Sequence, residues 1–273
     1  MKRALFAALL LLGGCEQQTD TGWLGYAEGE DAFIAAPQAG WVAQLAVRRG
    51  DWVRAGERLF TLDDTNQAAA RDSAQASIAV AQSQLVAAQA NAALAQKELT
   101  RQAHLLAENA STKQAYDVAK AAYESAQAQV GQISAQIAQA RAGLSGAAYQ
   151  LSERDVVSRT TGRVQDVFFR TGEYAPAMTP VVSVLPPENI YIRFFVPENE
   201  FSHVKLGQRV AIRCDGCAPN ITATVSFIAA QEEFTPPVIF SIGSREKLVF
   251  KIEARAPGGL KLNPGQPVDV HPL

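Results

Sequence analysis

Apolar residues recur every three or four positions through the middle of the chain, between residues 66 and 152. A first series repeats every seven residues and has alanines between its members: Ile78, Leu85, Ala92, Leu99 and Leu106, with Ala74, Ala81, Ala88 and Ala95. A second series alternates steps of three and four: Tyr116, Ala119, Tyr123, Ala126, Val130, Ile133, Ile137, Ala140, Leu144, Ala147 and Leu151. The segment contains no proline, although the chain has 13. Sustained heptads of this kind predict two long helices that pack together as a coiled coil.

The residues between the two series predict a tight turn. Asn109 can take the left-handed conformation that ends a helix, and Ser111 with Gln114 has the spacing of a capping box that opens the next one. The pattern therefore predicts one antiparallel hairpin whose helices are each about 40 residues and about 60 Å long. Small alanines along the seam allow the two helices to approach closely.

Two segments of similar sequence lie on either side of the predicted hairpin. Residues 36–62 and 158–184 align at a constant offset of 122, so that Gly40 and Gly50 correspond to Gly162 and Gly172. In each copy, apolar and polar residues alternate around a Gly-Asp or Gly-Glu turn, which is typical of half-buried antiparallel strands. The repeat predicts two halves of one small β-sandwich.

The last segment, residues 186–273, also alternates strongly between apolar and polar residues. The apolar positions that we expect on one face are Ile190, Ile192, Phe194, Val196, Val210, Ile212, Val225 and Phe227, followed by residues 249–252. Turn residues such as Gly207, Gly258-Gly259 and Pro264-Gly265 punctuate it at the spacing of a small antiparallel barrel. The predicted fold class is α+β: a split β-sandwich with an inserted antiparallel coiled-coil hairpin, followed by a small antiparallel β-barrel.

The amino terminus has the pattern of an export signal. Lys2 and Arg3 precede an apolar run of nine residues, 4–12, which is shorter than the roughly 20 residues that a membrane helix needs. The run continues into Gly13-Gly14-Cys15, which resembles the lipobox of bacterial lipoproteins, in which the cysteine is acylated. We expect an exported chain that carries a lipid on Cys15. The alternative is an ordinary cleaved signal with an unmodified cysteine.

Composition and motifs argue against nucleic-acid binding and catalysis. The 25 Lys and Arg against 27 Asp and Glu give a net charge of −2, so no basic field would hold a phosphate backbone. His104, His203 and His271 are isolated, and no P-loop, G-x-G-x-x-G or G-x-S-x-G motif is present. We therefore expect no nucleic-acid partner, no metal, no cofactor and no enzyme activity.

Cys214 and Cys217 have the spacing of redox and zinc motifs, but they lie between predicted strands, and further zinc ligands are absent nearby in sequence. Asp215-Gly216 is a two-residue turn that would place the cysteines opposite each other. In an oxidising compartment we expect a turn disulfide. Because so small a ring is strained, two free thiols are the alternative.

A coiled-coil hairpin inserted between two halves of a β-sandwich resembles the periplasmic adaptor, or membrane fusion, proteins of the HlyD-like family. Their half-motifs look like the halves of a lipoyl or biotinyl carrier domain. The resemblance covers a lead-in strand at Gly25–Gly29, the split repeat, the hairpin and the carboxy-terminal β segment. Neither copy supplies the turn lysine to which carrier domains attach their cofactor, so carrier chemistry is not expected.

The resemblance divides the chain into six parts: a lipoprotein signal with lipobox (1–15), a tether and lead-in strand (16–33), the first lipoyl-like half-motif (34–64), the hairpin (65–152), the second half-motif (153–185) and the β-barrel domain (186–273).

The function implied by the resemblance is mechanical. It is that of a periplasmic adaptor, anchored to the inner membrane by its lipid and assembled as a hexameric ring, which links an inner-membrane transporter to a TolC-like outer-membrane channel. The chain ends almost at the barrel and contains Glu233-Phe234-Thr235-Pro236, which looks like the compact adaptors of ABC-type exporters. One alternative is an adaptor of a proton-driven, RND-type pump. Another, of a different class, is a coiled-coil periplasmic scaffold or ligand carrier without a transporter.

The resemblance also assigns a docking site to the hairpin tip. In the family, an Arg, a Leu four residues on and a Ser seven beyond that contact the channel. Here Arg101 and Leu105 match, Thr112 stands at the Ser position, and Ser111 lies beside it. Arg101 would donate hydrogen bonds to the channel, Leu105 would fill an apolar notch, and Thr112 would add a polar contact. The alternative is that these residues only pad the seam, face solvent or cap the second helix.

Overall fold

The structure is a computed structural model that describes residues 22–234 and 248–273. In chain order the strands are β1 (Trp23–Gly29), β2 (Ala32–Ala35), β3 (Gly40–Leu45), β4 (Trp52–Val53), β5 (Arg58–Leu62), β6 (Asp155–Val157), β7 (Gly162–Val167), β8 (Tyr174–Ala175), β9 (Pro180–Leu185), β10 (Ile190–Pro197), β11 (Arg209–Arg213), β12 (Ile221–Phe234), β13 (Leu248–Arg255) and β14 (Pro267–Pro272). The helices are α1 (Thr65–Ala107), α2 (Lys113–Ser152) and the short α3 (Glu198–Phe201).

These elements form two compact units. The hairpin unit is Asp31–Leu185, and the barrel unit combines the described residues up to Glu30 with Pro186–Leu273. Each unit has its own buried apolar residues, and the two are described separately below.

Helices α1 and α2 form the predicted hairpin, with 43 and 40 residues. Every residue of the two predicted apolar series is buried or half-buried, so the predicted seam is confirmed. Ile133 and Ile137 of α2 pack against Ala81 and Ala88 of α1. Because alanine has only a methyl group, each isoleucine can fill the space opposite it without pushing the helices apart.

Two four-stranded antiparallel sheets form the rest of the hairpin unit, in the orders β2-β9-β7-β4 and β6-β5-β3-β8. Strand β4 of the first copy pairs with β7 of the second, and β8 of the second copy pairs with β3 of the first. Each half therefore contributes strands to the sheet of the other. Neither half can complete its sheet alone.

The sequence repeat recurs in the backbone hydrogen bonds of these sheets. The N–H of Gly50 donates to the Val164 carbonyl at 2.9 Å, and the N–H of Gly172 donates to the Val42 carbonyl at 2.8 Å. Both glycines have a positive φ, 92° and 88°, which glycine adopts without steric cost. Corresponding residues of both copies fill one shared core: Val42, Leu59, Leu62, Val164, Val181 and Val184.

Six strands of the barrel unit pair in the ring β1-β10-β13-β12-β11-β14 and form a closed antiparallel barrel. The lead-in strand expected at Gly25–Gly29 is thus part of this barrel, between β10 and β14. Gly25 suits this position because a Cβ there would lie 2.5 Å from the carbonyl oxygen of Arg193.

Phe227 was predicted to share the inward face of the barrel with Val225, and this prediction is wrong. Val225 and Phe227 pair with the consecutive residues Ala254 and Glu253, so Ser226 is an extra residue in the ladder. Such a β-bulge shifts the alternation of side chains by one position. Phe227 is therefore turned outward and is 47% exposed.

An ionic network on the outside of the barrel connects β1, β10 and β13. The Arg193 guanidinium donates to Glu28 Oε1 at 2.5 Å and to Glu253 Oε1 at 2.9 Å. The Tyr191 hydroxyl donates to Glu28 Oε2 at 2.5 Å. Burial, and then the hydrogen bond to Glu28, raise the pKa of Tyr191 well above its ordinary value, so the phenol stays a proton donor. The network stabilises the pairing of β1 within the ring.

Candidate functional site

The hairpin tip, residues 98–115, begins with the end of α1. The N–H of Ala110 donates to the Leu105 carbonyl at 2.8 Å, and the N–H of Asn109 donates to the Leu106 carbonyl at 3.1 Å. Asn109 has φ 61°, the left-handed conformation that the sequence predicts for it. The two bonds and this residue make a Schellman turn, which satisfies the last carbonyls of the helix.

Helix α2 begins at a different residue from the one predicted. Thr112 is the N-cap, and its Oγ1 accepts the N–H of Ala115 at 3.2 Å. The predicted capping box of Ser111 and Gln114 is therefore wrong. The third residue after the cap is Ala115, whose methyl group cannot return a hydrogen bond to the cap.

A chain of polar side chains connects α1 to the turn that precedes α2. The Ser111 hydroxyl donates to Gln102 Oε1 at 2.7 Å, and Gln102 Nε2 donates to Glu98 Oε1 at 2.9 Å. The Glu98 carboxylate also forms an ion pair with Arg101. The sequence analysis missed Glu98 and Gln102, although residues three and four apart on a helix are neighbours and this spacing could have found them.

All four residues predicted to dock lie at this tip, with different exposure. The side chain of Arg101 is 68% exposed, and Thr112 is also exposed, whereas Leu105 and Ser111 are half-buried. Arg101 and Leu105 are one helical turn apart and so lie on one face of α1. The tip thus presents a cation, an apolar side chain and two hydroxyls, and the docking role of these groups stays a prediction.

The hydrogen bonds within the tip determine which donors and acceptors remain available to a partner. Thr112 Oγ1 accepts from Ala115, so its hydroxyl proton is available to donate outward. Ser111 has given its proton to Gln102, so its hydroxyl can only accept. Exposed ion pairs contribute only about 0–1 kcal/mol, so Arg101 can leave Glu98 for an external carboxylate or carbonyl at little cost.

Cys214 and Cys217 lie in the turn between β11 and β12. The structure pairs their sulfur atoms, with the Cα atoms 5.4 Å apart, within the range of disulfides. Gln266 Nε2 donates to Cys217 Sγ at 3.3 Å. The redox state of the pair stays a prediction.

Cys15 lies outside the described residues, and so do Thr235 and Pro236. No helix in residues 22–234 and 248–273 is both long and apolar enough to cross a membrane. In the same ranges no group of three or more His, Cys, Asp or Glu side chains could hold a metal ion.

Comparison with known proteins identifies relatives of the hairpin and of longer segments. Residues 77–153 match the family model described as "RND MFP, alpha-helical hairpin domain". The chain is 29% identical over 131 residues to a UPF0194 membrane protein of Acidithiobacillus ferridurans, which covers 47% of this chain and 39% of that protein. It is 27% identical over 183 residues to YdhJ of Escherichia coli K12, which covers 67% of this chain and 59% of that protein. The match therefore spans less than two thirds of either relative.

Solved structures of low sequence identity share the fold. MacA from Actinobacillus actinomycetemcomitans superposes with a TM-score of 0.72 at 19% identity, covering 91% of this chain and 76% of that one. The membrane fusion protein Spr0693 from Streptococcus pneumoniae R6 gives 0.56 at 20% identity, covering 92% and 97%. Together with the hairpin match, they confirm the resemblance to membrane fusion proteins and the predicted α+β fold class with its inserted hairpin.

Proposed function

We propose that the chain is a periplasmic membrane fusion adaptor, which links an inner-membrane transporter to a TolC-like outer-membrane channel. One observation supports this most directly: the tip of the long hairpin carries Arg101, Leu105 and Thr112 at the spacing of the family's docking pattern, with Thr112 at the position of its Ser. The function is mechanical, since the hairpin contacts the channel and favours its open state while the β domains contact the transporter.

At the tip, Arg101 makes the orienting contact with the channel. Its planar guanidinium can hold a carboxylate or two carbonyl oxygens in a fixed geometry, which a lysine could not do. Leu105 adds apolar contact area beside it, and the Thr112 hydroxyl donates to an acceptor on the channel. The bonds from Ser111 to Gln102 and from Gln102 to Glu98 hold the turn that carries Ser111 against α1, which reduces the entropy lost when the tip docks.

The transporter is the second partner. The sequence resemblance favours an ABC-type exporter. The description of the matching hairpin family, which names RND membrane fusion proteins, favours a proton-driven pump as the second candidate. Neighbouring genes and co-purification distinguish the two, because an ABC exporter brings an ATPase subunit and an RND pump does not. We further propose self-association into a ring, a hexamer by family resemblance, and attachment to the inner membrane through a lipid on Cys15.

Arg101→Asp tests the docking role. Reversal of the charge places a carboxylate beside Glu98 and removes the donor that faces the channel. We expect affinity for the purified channel to fall at least about 30-fold, as for loss of one member of an interfacial charge pair, and co-purification and export to be lost. The melting temperature should change little, because exposed substitutions usually shift stability by about ±0.5 kcal/mol.

Arg141→Asp is the matched control, since Arg141 is an exposed cation of α2 outside the tip. It should bind and export as the unchanged protein does. Normal channel binding by Arg101→Asp, or equal losses in both variants, would show that this tip does not dock through Arg101.

A further inference from the structure

A groove of about 680 Å³ lies on the outer surface of the barrel unit, across strands β1, β10 and β14. Its volume is within the range of about 300–1,000 Å³ that is typical of small-molecule sites. All residues that line the groove belong to the barrel unit, and none belongs to the hairpin tip. A ligand here would therefore be independent of the docking function proposed above.

The walls of the groove are apolar and aromatic. Tyr26 and Phe195 face each other with ring centroids 6.3 Å apart and planes inclined by 38°. Leu24 and Pro267 extend the apolar surface on either side, and Leu24 is 53% exposed. The Leu24 side chain is therefore available to contact a ligand in the groove.

The charge of the lining has one sign. Asp215 and Asp269 both contribute to the groove, and both residues are exposed. Asp269 stands opposite Arg213 in the β11–β14 register, so part of its charge is balanced. The described lining includes no lysine, arginine or histidine. Together the aromatic faces and the carboxylates suit a cation, which both attract electrostatically.

We propose that this groove binds a lipophilic monocation: a molecule with a single positive charge and an apolar, aromatic body. The apolar part lies against Leu24, Tyr26 and Phe195, and the charge lies towards Asp215. The turn that carries Asp215 is held by the paired Cys214 and Cys217, and Gln266 joins that turn to the loop before β14. The Gln266 contact places the backbone of this turn beside the start of β14, next to the aromatic wall.

Two probes of the same shape and opposite charge test the proposal. Isothermal titration calorimetry of the purified chain should show tetraphenylphosphonium binding at least about tenfold more tightly than tetraphenylborate, since only the cation complements the lining. Equal affinities, or no binding of tetraphenylphosphonium, would overturn the proposal.

Substitutions inside and outside the groove test whether tetraphenylphosphonium binds at this site. Leu24→Arg places a cation inside it and should weaken tetraphenylphosphonium binding at least about tenfold, and Asp215→Asn should weaken it severalfold. The controls are Leu206→Arg, at a 68% exposed leucine of the same unit outside the groove, and Glu188→Gln, at an exposed acid that does not line it. Both controls should bind as the unchanged protein does. Unaltered affinity in Leu24→Arg would place any observed binding elsewhere and reject the site.

Discussion

At the scale of single residues, the disulfide expected between Cys214 and Cys217 can be tested directly. Gly216 has φ 76°, which only glycine adopts easily, and this conformation brings the two cysteines back towards each other. We expect that intact-mass measurement of protein exported to an oxidising compartment and purified without reductant will find both thiols protected from alkylation until a reductant is added. The gain in stability should be modest, because so short a loop restricts the unfolded chain little.

Single-cysteine variants provide the control for this measurement. Cys214→Ser leaves Cys217 without a partner in the turn, so its thiol should react without reductant. If both thiols of the unchanged protein react as readily, the pair is reduced and the alternative of two free thiols is correct.

The backbone conformation of one residue of the repeat, Met178, could not have been predicted from its residue type. Gly56 has φ 86°, and its counterpart at the offset of 122 is Met178, which keeps a positive φ of 59° although it has a side chain. Left-handed backbone costs a non-glycine residue roughly 1–2 kcal/mol, so sequence propensity argues against this conformation. The shared sheet imposes it, because the N–H of Met178 donates to the Ala36 carbonyl as that of Gly56 donates to the Ser158 carbonyl.

At the scale of elements, the hydroxyls of Thr112 and Ser111 near the start of α2 should contribute differently to stability. Thr112→Ala removes the side-chain acceptor of the Ala115 N–H and should lower the free energy of unfolding by about 1 kcal/mol. Ser111→Ala removes only the bond to Gln102 near the surface and should cost less, within about 0.5 kcal/mol. Urea titrations followed by the helical circular dichroism signal compare the two variants.

Thr112→Ser is the matched control for the cap, since it keeps the hydroxyl and should retain nearly all of the stability. A larger loss from Ser111→Ala than from Thr112→Ala would contradict the assignment of Thr112 as the cap.

The helices were more predictable than the strands because they depend on local pattern. The seam repeats over many turns of α1 and α2, so each heptad supports the same register. Strands β4 and β8 have two residues each, and each pairs across the repeat with the other copy. No pattern within two residues specifies a partner so far away in sequence. For the same reason the bulge at Ser226 was not foreseen, since alternation alone favoured an inward Phe227.

At the scale of the whole molecule, pairings between strands that are distant in sequence could not be predicted from local patterns. Strand β1 pairs with β10 and β14 although the entire hairpin unit separates β1 from both in sequence. The family resemblance predicts a lead-in strand at Gly25–Gly29, but the membership of this strand in the barrel depends on closure of the ring. At the hairpin tip, the family pattern located Arg101 and Leu105, while the bonds through Glu98 and Gln102 emerged only from the fold.

The predicted membrane anchor is a lipid on Cys15, which lies outside the described residues. The apolar run that ends in Gly14-Cys15 predicts that the cysteine is acylated. Each buried CH₂ of an acyl chain contributes about 0.8 kcal/mol, and more than one chain gives stable anchoring, so the effect should be large. We expect the protein to incorporate labelled palmitate and to fractionate with membranes, whereas Cys15→Ser does neither. Cys214→Ser is the matched control and should label fully, because it changes a cysteine outside the lipobox. Equal labelling of Cys15→Ser and the unchanged protein would contradict the anchor, since the label would then reside on another residue.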